Sequence, residues 1–172
     1  MSHELYKVGD AYSMMRTEDS AMTWHGLEHV IPSEAPFDAW ANHPVFDWKI
    51  QRSKVRYATS HNAADPLVSL DDKHVLFRSD NKKALSVVSS DYCVVQPKQV
   101  LEFFRDLCEQ NHLKMDTAGV IREGVKFWAL ARTGHELNVG SGADLIKQYV
   151  LLATSADSSM ATIAKPTTVR TV

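Results

Sequence analysis

Hydrophobic and polar positions change their period several times along this chain, and each change marks an element. The strongest helical pattern runs over residues 97–111. Val100, Leu101, Phe103, Phe104, Leu107 and Cys108 form one broad apolar stripe there. Pro97 suits the first helical position, where a missing N–H costs little, and Asn111 suits the stop. A shorter helix is predicted over residues 33–40, with Ser33 as N-cap and Pro36 in the first turn. Phe37 and Trp40 stand three apart and share a face, and Pro44 ends the segment.

Elsewhere the period is closer to two. Over residues 46–59, Trp48, Ile50, Val55 and Tyr57 are apolar, while Lys49, Arg52, Lys54 and Arg56 are basic. The apolar parity switches between Ile50 and Val55, which predicts two strands, or a bulge or turn near Arg52-Ser53. A polar loop is expected over residues 60–72, then strands over 74–79 and 85–95. Two more strands, 114–122 and 125–132, flank the tight-turn pair Glu123-Gly124. A loop with Gly134, Gly140 and Gly142 follows. Residues 145–154 are apolar enough for a strand or a helix that Asp144 could cap. The turn Ala156-Asp157-Ser158-Ser159 and the run at 160–164 favour a hairpin.

The order predicts an α+β fold, a mainly antiparallel sheet packed on the central amphipathic helix 97–111, with a short N-terminal helix. Residues 1–31 lack periodicity and are expected to form a loosely ordered acidic arm that docks through Trp24 and Leu27. Residues 32–172 then make a single α+β domain.

Composition narrows the class. The chain has 172 residues, 44% of them hydrophobic and 23% charged, as in ordinary globular proteins. No apolar run approaches the ~20 residues of a membrane-spanning helix, and no secretory signal pattern opens the chain. A cytoplasmic protein is expected. Cys93 and Cys108 lie at apolar positions and read as buried, reduced thiols. Net charge is −2, but residues 1–47 carry −6 and residues 48–172 carry +4. An acidic leader on a basic body follows.

The segment Phe77-Arg78-Ser79-Asp80, then Leu85, Val87-Val88 and Tyr92-Cys93-Val94-Val95-Gln96, resembles a signature of the phage and plasmid-like protein family, domain of unknown function 932, found on mobile DNA. Trp24-His25-Gly26-Leu27 is similar to its N-terminal box. Gly119, and Gly124 with Phe127-Trp128-Ala129-Leu130-Ala131, resemble its middle segment. Asp144, Tyr149-Val150-Leu151-Leu152, Ser155-Ala156-Asp157 and Thr168-Val169-Arg170-Thr171-Val172 resemble its later boxes. The resemblance covers nearly the whole chain. The family pattern continues with a Cys, Asn, Thr element and helical sequence, whereas this chain stops at Val172. The resemblance implies a mobile-DNA setting and no reaction.

Candidate chemistries are sparse. His25-Gly26-Leu27-Glu28-His29 spells the inverted zinc-peptidase motif, but Gly26 and Pro32 oppose the long helix that chemistry needs. Ser79-Asp80-Asn81-Lys82 contains both S-D-N and S-x-x-K, yet one tetrapeptide cannot supply both, and no K-T-G strand completes an acyl-enzyme site. A turn in which Asp80 caps and Arg78 projects is the plainer reading. No phosphate loop, nucleophile elbow or cofactor motif occurs, so no cofactor and no metal site is expected.

The basic residues point further. Lys49, Arg52, Lys54 and Arg56 interleave with Trp48 and Tyr57, and Arg78, Lys82, Lys83, Arg122, Lys126 and Arg132 add to the same part of the chain. Such a sheet face can track phosphates and stack bases. The expected function is nucleic-acid binding in phage or plasmid DNA metabolism, single-stranded DNA binding or annealing. Lys49, Arg52, Lys54, Arg56, Arg78 and Lys82 would neutralise phosphates and Tyr57 would stack. The expected partner is DNA, single-stranded rather than duplex, with self-association through sheet edges and no membrane. The rival reading is a protein-interaction module, such as an inhibitor of host defence, acting through its acidic leader.

Overall fold

The computed structural model describes residues 4–20, 26–138 and 145–171. It is an α+β fold. Its elements in chain order are β1 (Lys7–Val8), β2 (Ala11–Tyr12), β3 (Met14–Thr17), β4 (His29–Ile31), α1 (Phe37–Ala41), β5 (Ile50–Tyr57), β6 (Val68–Arg78), β7 (Ala84–Ser89), α2 (Pro97–Gln110), β8 (Lys114–Ile121), β9 (Lys126–Asn138), β10 (Leu145–Ser155) and β11 (Ile163–Thr171). A 3₁₀ turn, Arg122–Gly124, joins β8 to β9.

The larger sheet has six strands in the order β11-β10-β9-β8-β3-β4. Every pair is antiparallel except β3 with β4. The smaller sheet is β5-β6-β7, antiparallel throughout.

Helix α2 begins as its sequence directs. Pro97 is the first helical residue, and Gln99 Oε1 accepts the N–H of Gln96 at 2.8 Å. Val100, Leu101, Phe104 and Cys108 are buried on one face. They join one core with Ala118, Val120, Phe127, Ala129, Ala131 and Leu152 of the larger sheet. The three alanines keep that sheet face low, so the bulk of Leu101 and Phe104 fills the space between helix and sheet. Met15, Trp40, Phe46, Trp48, Ile50, Leu76 and Val88 extend the same core to the smaller sheet.

Several expectations are corrected. The leader is not an arm: β3 is buried at all four positions and lies inside the larger sheet between β8 and β4. Ser13 Oγ donates to the Val120 carbonyl at 2.6 Å and fastens it there. A domain boundary at residue 31 therefore falls within the sheet. Helix α1 starts at Phe37 with Pro36 as N-cap. Ser33 does not cap it; its hydroxyl donates to Asp19 Oδ1 at 2.7 Å. The strand expected to end at residue 95 ends at Ser89. Residues 68–72 and 133–138 are strand instead of loop. Trp24, His25, Gly140, Gly142 and Asp144 lie outside the described residues.

Cys108 is buried, and desolvation pushes its thiol up to about 11. Cys93 is exposed, contrary to the apolar run around it.

Candidate nucleic-acid interface

The basic segment is a single strand, β5, paired antiparallel to β6 from Ile50↔Arg78 to Tyr57↔Val68. The register jumps between Lys54, opposite His74, and Val55, opposite Leu70. The extra residues Asp71, Asp72 and Lys73 all sit on β6. The irregularity expected near Arg52-Ser53 is thus real but displaced, and it interrupts the partner strand.

Because β5 itself stays extended, its side chains alternate. Arg52, Lys54 and Arg56 follow Ile50 on one face, and all three are exposed. Tyr57 falls on the opposite face with Val55 and is 48% exposed. The charge and the aromatic expected to act together are therefore on different sides of the hairpin. By the same alternation Lys49 lies on the Tyr57 side. Among the described residues Lys49, Lys54 and Arg56 make no ion pair. Arg52 donates from Nη2 to the Tyr92 carbonyl, which holds the base of the row. Lys82 is distant in the β6–β7 turn, and its ammonium donates to the Ser79 carbonyl at 2.8 Å.

Arg78 is placed quite differently from the expectation. It does not project: it is 1% exposed, the largest fully buried side chain among the described residues. Its guanidinium lies 4.0 Å from the Trp48 ring centre and 5.0 Å from that of Tyr6. Nε and Nη2 form a fork on the Asp80 carboxylate at 2.9 and 2.6 Å. Nη1 donates to Tyr6 Oη at 2.5 Å and to the Glu123 carbonyl at 3.1 Å. Ser79 is structural as well: its N–H donates to the Lys49 carbonyl at 2.8 Å, and its hydroxyl accepts the Lys49 N–H at 2.9 Å. The Arg78-Ser79-Asp80 signature thus ties the smaller sheet to the N-terminal segment and to the β8–β9 turn.

Other basic groups are already neutralised, largely by the acidic leader. Arg122 pairs with Glu4 at 2.9 Å, and Lys114 with Glu34 at 2.9 Å and Asp19 at 3.4 Å. Arg16 pairs with Glu28 at 2.9 Å in a buried setting. Hydrogen bonds from Ser33 and Thr17, aided by Lys114 and Arg132, hold the Asp19 carboxyl far below the usual range. These pairs leave the row on β5 as exposed positive charge.

The zinc-peptidase spacing does not form such a site in the described part. Glu28 serves Arg16, and His29 meets the His43 ring edge-on at 4.4 Å. Among the described residues no three His, Cys, Asp or Glu side chains gather as metal ligands do. His25 lies outside them.

Sequence reasoning missed Asp116. It sits in the β8 bulge opposite β9, between Met115 and Thr117, and is 2% exposed. It accepts from Ser20 Oγ at 2.7 Å, from Tyr149 Oη at 3.2 Å, and from Arg132 Nη2. Burial, then the Asp116 charge, pushes the Tyr149 phenol up to about 12. That group stays protonated at neutral pH and donates to Asp116, so the network fastens three strands. A lone aspartate in a strand otherwise fit for the core was the available signal.

Residues 84–172, just over half of the chain, match the family described as Domain of unknown function (DUF932). The match spans β7, α2 and β8 to β11. No curated protein and no solved structure matches the chain.

Proposed function

The chain belongs to the family of Domain of unknown function (DUF932), and for this member of it we propose binding of nucleic acid through the phosphate backbone. The observation that carries this reading is the row Arg52, Lys54 and Arg56: three exposed cations on one strand face, while the leader's carboxylates neutralise Arg16, Lys114, Arg122 and Arg132.

Alternate residues of an extended strand stand about 6.7 Å apart. Long side chains at that spacing reach successive phosphates of a strand laid along the hairpin. The row offers no planned set of base-edge partners, so the binding is tolerant of sequence. A single strand, which can straighten to follow the row, is the preferred form. Single-stranded DNA handling in phage or plasmid metabolism in the cytoplasm is the concrete version. Arg78 has no part in this contact, because its charge is used inside the protein.

The deciding experiment is fluorescence anisotropy of a labelled single strand and its duplex over a range of salt. Three phosphate contacts predict a slope of log K on log salt near −2 for the single strand, by about 0.7 per contact. The Lys54→Glu, Arg56→Glu protein should lose most of that affinity and melt at the parent temperature. Affinity that ignores this pair of changes would sink the assignment.

A further inference from the structure

The outer face of the smaller sheet is apolar and uncovered by any described element. Antiparallel partners share a face, so Tyr57↔Val68, Val55↔Leu70 and Val75↔Val87 place six apolar side chains there, with Phe77 opposite Gln51. Val87 is 58% exposed, Tyr57 48%, Val68 42% and Leu70 39%. None of the seven belongs to the core or packs against it. Isolated exposed apolar residues are ordinary, but seven on one sheet face form a patch of the kind that marks an interaction surface.

We propose that this face docks a second copy of the same chain, sheet face on sheet face about a two-fold axis. The charges along the sheet specify the occupant. At the hairpin end, residues 58–73 hold Asp65, Asp71 and Asp72 against one cation, Lys73, whose Nζ lies 4.0 Å from Asp72 Oδ2. Lys54 and Arg56, also at that end, fall on the opposite face. At the other end stand Lys49 and Lys82, both exposed, with an exposed carboxylate, Asp47, two residues before Lys49. A face that is net acidic at one end and net basic at the other is complementary to itself when turned through a two-fold, as an isologous contact requires. Edge-to-edge pairing through β5 is disfavoured, because it would oppose Lys54 and Arg56 to like charges.

The size of the face sets the strength. Three strands, with an 11-residue β6, cover about 36 Å by 14 Å. That footprint is at the low end of specific interfaces, so the dimer is weak, with a dissociation constant in the micromolar range. In such a pair the Arg52, Lys54 and Arg56 rows face outward on both sides. The inference stands on the sheet face alone and is tested without nucleic acid.

Sedimentation equilibrium of the full chain over roughly 5 to 500 μM spans the expected transition. Val87→Lys should weaken dimerisation at least ~10-fold, since it buries a charge in the contact. Reversing Asp71 and Asp72 to Lys should weaken it, as should reversing Lys49 and Lys82 to Glu. Combining all four reversals in one chain should restore it. Circular dichroism melting checks that each variant is folded. If Val87→Lys fails that check, the concentration dependence of the parent protein decides. A monomer throughout the range overturns the proposal. So does a dimer that ignores Val87→Lys, or one that the combined reversal fails to restore.

Discussion

The side-chain amide of Gln96 makes both backbone hydrogen bonds to Ile50: Oε1 accepts from its N–H at 2.8 Å, and Nε2 donates to its carbonyl at 3.1 Å. Arg78, opposite Ile50 in the ladder, gives its own N–H to the Lys83 carbonyl. The amide therefore stands in for a neighbouring strand at the buried start of an edge strand, and it does so from the N-cap of α2. Gln96→Ala should cost about 1–3 kcal/mol by leaving those groups unpaired. Gln96→Glu, which keeps an acceptor for the N–H and loses the donor, should fall between. Urea midpoints and hydrogen exchange at the Ile50 amide measure this. Unchanged exchange in Gln96→Ala would refute the pairing.

Arg78 and Asp80 should be strongly unequal to surface pairs. Removing the buried cation by Arg78→Ala should cost about 3–5 kcal/mol, through lost packing between Trp48 and Tyr6 as well as lost charge. The Arg78 hydrogen bond chiefly lowers the Asp80 carboxyl below its ordinary 3.8. Its contribution is therefore present above 3.8 and fades as pH falls toward the folded-state value. Asp80→Asn should flatten the acid limb of a stability-against-pH curve. A limb of the same steepness would contradict it.

Two glycines are required by ring contacts. A Cβ on Gly119 would meet the Trp128 indole at 2.9 Å, directly across the β8–β9 pair. A Cβ on Gly124 would meet the Trp48 ring at 2.8 Å, at a φ of +117°. Indole rings packed against a strand do not yield as a lysine tip would. Gly124→Ala combines overpacking with backbone strain and should cost about 2–4 kcal/mol, more than Gly119→Ala. Thermal melts of the two variants give the order, and the reverse order would count against the geometry.

Burial, and then the neighbouring His29, lowers the His43 imidazole below its ordinary 6.5. The unfolded chain then binds a proton that the folded one resists. Stability should fall as pH drops from 6.5 to the folded value of His43, and level off beneath it. His43→Gln should lose this part of the pH dependence. A variant that keeps the full slope between neutral pH and 5 would show another group is responsible.

How legible was this in the chain? The helix stripe from Val100 to Cys108, the Glu123-Gly124 turn and the closing hairpin were all readable, because each is set by local period and turn chemistry. The placement of β3 was not. Met14-Met15-Arg16-Thr17 is too short for a period, and its partner in β8 lies about a hundred residues away. Arg78 was misjudged for a related reason. An arginine beside a polar turn usually faces water, and its burial needs the distant Tyr6, Trp48 and Glu123 as well as the neighbouring Asp80. For the candidate interface, the identity of the basic row was plain, but its separation from Tyr57 follows from an unbroken β5, which the parity switch concealed.

The position of β3 has a consequence for how the chain acquires its structure. Its neighbours in the larger sheet are β4, made soon after it, and β8, made about a hundred residues later. During synthesis β3 cannot pair with β8 until residues 114–121 emerge. Closing that contact carries a large loop-entropy cost before it is rewarded. Folding should therefore be limited by the docking of the larger sheet's first-made strand, and refolding rates should respond more to changes at Met15 and Ala118 than to changes on α2. The segment that looks least structured when read from its own residues is the one the finished sheet must wait for.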